Sequence, residues 1–237
     1  TDDRLGLNAT DMDLDIVESV AAEITSPGAT TAPAHTLYDI VRKLPEGSQG
    51  AFESDDDGQL HLSSGRSRFT LACLPTDDFP VLSEGDLDHE FSLPAAEIRA
   101  LIDKTRFAIS TEETRYYLNG IYLHAAERDG AVMLRAVATD GHRLASAEVP
   151  LPDGAKEMPG VIVPRKTVGE LHKLVDEMTD DVAVGLSETK IRFTIDDAVL
   201  TSKLIDGTFP DYNRVIPEGN DKTMEVDTKL FTDAVDR

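Results

Sequence analysis

Tryptophan is absent from the 237 residues, only 5% are aromatic, and there is a single cysteine, Cys73. One thiol excludes an internal disulfide framework and fits a reducing compartment. No apolar run approaches the roughly 18 residues that a membrane-spanning helix needs. No basic-then-apolar leader opens the chain, so no secretion signal is expected. The six histidines form no HExxH and stand near no cysteine pair, which argues against zinc. A glycine-rich phosphate loop is lacking, as is a serine or cysteine at a recognisable nucleophile elbow. Positive charge is scarce too: 23 Lys and Arg stand against 45 Asp and Glu, a net charge of −22. Taken whole, so acidic a chain repels DNA and acidic membranes.

What the sequence does have is pattern. With 40% apolar residues in alternating or helical spacing nearly throughout, it is not a disordered acidic protein. A repeat near 130 residues runs through it. Ala9-Thr10-Asp11 recurs as Ala138-Thr139-Asp140, and Pro33 with Leu37, Ile40 and Leu44 recurs as Pro164 with Val168, Leu171 and Leu174. Phe79-Pro80 recurs as Phe209-Pro210, and Phe91-Ser92-Leu93-Pro94 is echoed by Met224-Glu225-Val226-Asp227. Four anchors in one order predict tandem units: 1–86, 87–219 and the opening of a third over 220–237. The phase predicts a chain cut at both ends, with roughly 35 to 40 residues missing in front if the units are equal.

Each unit reads as strand, proline or aspartate, then amphipathic helix. Thr30–Ala32 leads into Pro33, Phe91–Leu93 into Pro94 and Val161–Val163 into Pro164, because proline at a helix start loses no needed N–H. Asp227 takes that place in the third unit as an N-cap. Spacing at Leu37, Ile40, Val41 and Leu44, and at Ile98, Leu101 and Ile102, gives each helix one buried face. Alternation at Leu60 and Leu62, at Phe69, Leu71 and Cys73, and at Val182 through Ile195 predicts strands, with hairpins at Asp57-Gly58 and Asp129-Gly130. The expected class is α+β, with helices packed on antiparallel sheets, repeated in tandem.

Charge is unevenly spread. Across 33–44, 94–110 and 164–177 there are 8 Lys and Arg against 6 Asp and Glu, leaving 15 against 39 elsewhere. A near-neutral helix layer on an acidic body is what a loosely DNA-facing surface needs, although mixed charge is also ordinary on exposed helix faces. Asp11, Asp13 and Asp15 fail as a calcium loop, since Ile16 and Ala22 stand where glycine and glutamate are required; a strand with one acidic face is expected instead. Cys73 is expected as a buried core thiol. Asp140 and His142 invite a hydrolase or nuclease reading, but no nucleophile accompanies them. An acidic DNA mimic is a further alternative, one with no use for repeated basic helices.

Arg115-Tyr116-Tyr117-Leu118-Asn119-Gly120, Ala138-Thr139-Asp140-Gly141-His142-Arg143-Leu144-Ala145, Val163-Pro164-Arg165-Lys166, and Thr201-Ser202-Lys203-Leu204 with Phe209-Pro210-Asp211-Tyr212 resemble the bacterial DNA polymerase III beta subunit family, the sliding clamps. Ser64-Gly65-Arg66-Ser67-Arg68-Phe69 with Phe79-Pro80 resembles its first domain. The resemblance implies the DNA-clamp fold, three domains per subunit, and a head-to-tail homodimer forming a ring around duplex DNA with helices lining the hole. It implies a non-catalytic processivity factor in the bacterial cytoplasm, associated with the nucleoid, with no cofactor and no metal. It places Arg42, Lys43, Arg99, Lys104, Arg106, Arg165, Lys166 and Lys173 on inner helices, and Arg115, Tyr116 and Tyr117 in a loop that touches DNA, here preceded by Glu112 and Glu113. The implied pocket for short glutamine-containing peptides comprises Leu118, Thr139, Gly141, His142, Arg143, Leu144, Pro210, Arg214 and Val215. Its implied occupants are the replicative polymerase alpha subunit, the clamp-loader delta subunit, other polymerases and repair proteins. Phe91 and Leu93 are implied at a subunit-contact edge and expected to be exposed there.

Overall fold

A computed structural model describes residues 3–55, 57–82 and 87–236. It divides into two compact units, Thr1–Gly207 and Thr208–Arg237, described separately below. In the first, Arg4–Thr10 (β1) and Leu14–Ala21 (β2) form a hairpin, followed by helix Ala34–Val41 (α1) and strands Ala51–Ser54 (β3), Gln59–Ser64 (β4) and Ser67–Ala72 (β5). Then come His89–Pro94 (β6), helix Ala95–Thr105 (α2), Gly120–Arg128 (β7), Ala131–Thr139 (β8), Leu144–Pro150 (β9) and Val161–Pro164 (β10). Helix Arg165–Val175 (α3) and strands Asp181–Leu186 (β11), Lys190–Ile195 (β12) and Ala198–Lys203 (β13) complete the unit. All pairings are antiparallel, in sheets ordered β1-β2-β13-β12-β11-β6, β10-β7-β8-β9 and β3-β4-β5.

Alternation builds the core. Leu134, Ala136 and Ala138 on β8, Val182, Val184 and Leu186 on β11, and Ile191, Phe193 and Ile195 on β12 turn one face of each strand inward. Against them lie Ile98, Leu101 and Ile102 of α2 and Val168, Leu171 and Val175 of α3, the helical spacing that gives one apolar stripe. Pro33, Pro94 and Pro164 stand immediately before their helices, one residue earlier than expected and within the ambiguity of helix ends. Asp129 and Gly130, at φ 52° and 82°, make the two-residue turn joining β7 to β8, which needs positive φ at both positions.

The repeat reappears as bonding. Thr10 Oγ1 donates to the Leu14 carbonyl and accepts from Met12 N–H, while Asp11 Oδ1 accepts from the N–H groups of Asp13 and Leu14. Between β8 and β9, Thr139 Oγ1 donates to the Arg143 carbonyl and accepts from Gly141 N–H, and Asp140 Oδ1 accepts from His142 and Arg143. The same Thr-Asp pair closes the same turn twice, with Met12 and Gly141 both at positive φ.

Several expectations are corrected. Asp11 and Asp13 lie in that turn, so no strand carries a three-aspartate face; Asp15 alone sits on β2, where burial raises its pKa. Residues 30–32 and 224–227 form no strand. Cys73 follows β5 and is half-buried, not a core thiol. Phe91 and Leu93 are 7% and 4% exposed: β6 is a terminal strand, but it turns these two side chains into the core instead of presenting an apolar edge. The boundary expected at 86–87 adjoins residues 83–86, which lie outside the described residues.

Strands from either side of that stretch share one sheet, since β2 pairs with β13. Three ion pairs fasten the junction: Arg4 to Asp197 at 2.7 Å, Lys203 to Asp13 at 3.0 Å, and Lys166 to Asp11. The Lys166 ammonium holds Asp11 at a pKa of about 2. A carboxylate depressed in the fold stabilises it fully above its ordinary pKa and ceases to do so as pH falls through the depressed value. Urea unfolding should therefore lose stability between pH 4 and pH 2 more steeply for the parent chain than for Asp11→Asn. Equal acid slopes would show that the pair contributes nothing.

In the second unit a short 3-10 turn, Tyr212–Val215, precedes helix Thr228–Val235 (α4). Asp227 caps α4 as expected, accepting from Leu230 N–H at 2.9 Å. No helix among the described residues is long and apolar enough to cross a membrane.

Candidate functional site

Two neighbouring features gather the expected loop residues and six of the nine expected pocket residues: the segment 110–119 and the turn 139–144. The segment leaves α2 through a single 3-10 turn at Arg106–Ala108 and then forms two short turns over Glu113–Leu118, broken at Arg115, whose φ of −114° and ψ of 50° are not helical. Ser110 Oγ accepts from Glu112 N–H, and Asn119 Nδ2 donates to the Glu112 carbonyl, so Glu112 is pinned from both sides. Its carboxylate takes the Arg115 guanidinium in a two-pronged pair at 2.8 and 2.5 Å, and each partner shifts the other's pKa toward the charged form. Tyr116 is exposed and Tyr117 half-buried, the rings meeting edge to face at 5.8 Å. Gly207 lies against Tyr117, where a Cβ would come within 3.0 Å of the Tyr117 Cβ.

The turn is held as tightly. Asp140 accepts two backbone N–H groups and the Arg143 guanidinium, which together lower its pKa to about 2. It is occupied in shaping its own turn, which removes the support for a catalytic pairing with His142. Arg143 also lies over the Phe107 ring at 5.5 Å. Leu144 is paired with Thr139 across the strands, and in alternation with them Val137, Tyr122 and Ile162 share that face of the sheet. Val137 and Ile162 are 0% and 2% exposed and lie outside the main core cluster, so this face has an apolar floor of its own. Leu118 is buried at 4% and also outside that cluster. Pro210, Arg214 and Val215 belong to the second unit; Pro210 and Val215 are exposed there, and Arg214 pairs with Asp211 at 3.0 Å.

The helix-borne cations divide sharply. Arg42 pairs with Asp39, Arg106 with Asp103 and Lys173 with Glu170, each three residues apart. Lys166 is held by Asp11. Arg99 is half-buried and donates to the carbonyls of Val175 and Asp176, closing the C-terminal end of α3. That role answers to the packing of α2 against α3, and it engages Arg99 within the fold. Lys43, Lys104 and Arg165 are exposed with no carboxylate partner among the described residues.

The description "DNA polymerase III beta subunit, N-terminal domain" matches residues 1–83, and "DNA polymerase III beta subunit, central domain" matches 92–211. The chain belongs to this family. The Beta sliding clamp of Caulobacter vibrioides is 54% identical over 236 residues, covering 99% of this chain and 63% of that protein. The Escherichia coli K12 clamp is 41% identical over 239 residues, again with 63% of its length covered. Among solved structures, the Bartonella birtlesii sliding clamp bound to griselimycin superposes with a TM-score of 0.94 at 52% identity, covering 99% of this chain and 63% of that one. A Caulobacter crescentus clamp superposes at 0.92 with 54% identity and the same two coverages. The chain thus spans less than two thirds, 63%, of the length of each of these clamps, and its α+β architecture is theirs.

Sequence reasoning missed how Glu112 and Phe107 act. Glu112 was visible only as an acid preceding the loop, although its spacing of three from Arg115 is that of a helical ion pair. Phe107 carried no signal, because its ring acts on a residue 36 positions away.

Proposed function

We propose that this chain is the larger part of a DNA polymerase processivity factor, a ring-shaped clamp that encircles duplex DNA and performs no chemistry of its own. In that reading 1–86 is domain I, 87–219 domain II, and 220–237 the start of domain III. The full-length chain forms a homodimeric ring in the bacterial cytoplasm. The observation that carries the reading is the repeated Thr-Asp turn together with the continuous sheet joining consecutive units. A module that repeats its fold and continues its sheet into the next copy is built to extend into an arc, and head-to-tail contacts between such arcs give a closed ring when the rotation between units closes.

Charge supports the same reading. Cations concentrate on the helices while the body is acidic, so DNA is tolerated along one surface and repelled elsewhere. A ring need not bind tightly to be retained, and half of its helix cations, Arg42, Arg106, Lys166 and Lys173, are already balanced by carboxylates, which favours sliding over gripping. The turn 139–144 with the apolar floor of Val137 and Ile162 supports a docking place for short peptides, with the replicative polymerase and the clamp loader as the proposed partners.

Retention on circular and linear DNA tests this. Full-length protein loaded by its cognate loader onto a nicked plasmid should remain bound, and cutting the circle once should release it. Equal retention on both forms would mean ordinary surface binding, and the clamp reading would fall.

A further inference from the structure

Arg115 belongs to both halves of the site. Its Nε and Nη2 are taken by the Glu112 carboxylate. Its Nη1 lies so close over Gly141 that a Cβ there would come within 2.5 Å of it. The same guanidinium therefore ends the DNA-facing segment and lies against the backbone of the partner-facing turn at Gly141. The backbone at Arg115 departs from helical angles between the two short turns while its N–H still donates to the Glu112 carbonyl, so any movement here belongs to the long side chain. Glu112 cannot follow, because its own N–H and carbonyl are bonded to Ser110 and Asn119. The arrangement is a movable cation between a fixed carboxylate and a glycine that makes room for it.

We propose that Arg115 couples the two surfaces antagonistically: a DNA phosphate draws the guanidinium from Glu112 and off Gly141, loosening the turn that receives a partner peptide, and a bound peptide holds it back. The two non-bridging oxygens of a DNA phosphate can accept both N–H groups of a guanidinium edge as a carboxylate does, so a phosphate competes for the Nε/Nη2 side of Arg115. Once the side chain swings away, Gly141, at φ 89°, loses the group packed against it. A peptide arriving at a less ordered turn must order it on binding, which weakens its affinity. Linkage makes the effect reciprocal, so partner binding relaxes the grip on DNA at this point and frees the ring to slide when a polymerase is seated. The inference rests on the clamp reading above, with 139–144 taking peptide and 115–117 meeting DNA.

The test uses the full-length protein and a fluorescent peptide with one glutamine and apolar anchors. Anisotropy gives its Kd for free rings and for rings loaded on nicked plasmid and freed of loader by gel filtration. The parent protein should bind peptide about fivefold more weakly on DNA, the lower end of typical coupling. The loaded-to-free ratio should fall to about one in Arg115→Gln and rise above the parent's in Glu112→Gln, whose weaker latch yields the guanidinium more readily. Because the ratio is read within each variant, a general loss of affinity cancels. A parent ratio of one, or an unchanged ratio in Arg115→Gln, overturns the coupling. Free rings that bind no peptide, or rings that cannot be loaded, overturn the underlying reading and the coupling with it.

Discussion

Replacing Leu134 by Ala should cost about 3 kcal/mol of stability, the middle of the range for emptying a fully buried leucine site. Leu134 is 0% exposed in the middle of β8, opposite Ala125 on β7 and Val149 on β9, and on the sheet face that receives the helices. β8 is held by strand pairing on both sides at Leu134, so the cavity left by the missing methyl groups cannot collapse cheaply. Leu7→Ala is the internal comparison: at 47% exposed on β1, it should change stability by no more than about 0.5 kcal/mol. With no tryptophan in the chain, urea unfolding is best followed by circular dichroism. If both variants fell equally, β8 would not be the spine of the core.

The contrast between these two leucines marks how far the sequence could be read. Strand and helix identity was legible wherever period and punctuation agreed: the alternation of Val182 through Ile195, the helical spacing of Ile98, Leu101 and Ile102, and the prolines before three helices. The repeated turn was legible for a local reason, since Thr and Asp at fixed offsets bond their own backbone and need no tertiary partner. What failed depended on distant partners. Lys166 and Asp11 are separated by 155 residues, and nothing in either neighbourhood announces the pair. Arg99 looked like any exposed helix cation until α3 was laid beside α2, ending its carbonyls within the guanidinium's reach. Phe91 and Leu93 were assigned to an edge by strand position. Position in a sheet decides where the backbone edge lies, but side-chain alternation and helix cover decide burial, and these favoured the core.

The second large effect follows from the division among the cations. Lys43→Gln, Lys104→Gln and Arg165→Gln together should flatten the salt dependence of duplex binding far more than the triple Arg42→Gln, Arg106→Gln and Lys173→Gln. Each cation that neutralises a phosphate adds about 0.9 to the slope of log K against log salt, through the counterions it releases. An unpartnered cation contributes that in full. Arg42, Arg106 and Lys173 instead give up Asp39, Asp103 and Glu170 to reach a phosphate, and each freed carboxylate then repels the duplex and gathers cations of its own. Exposed pairs of this kind are worth at most about 1 kcal/mol, so they temper DNA contact without forbidding it. Titrating a short duplex into full-length protein between 50 and 200 mM salt should show the slope falling by up to about three in the first triple, with affinity at low salt dropping at least roughly tenfold, and by less than half as much in the second. Equal slopes from the two triples would mean that the carboxylate partners are irrelevant once DNA arrives. The greater loss in the second triple would place the DNA track on the latched residues instead.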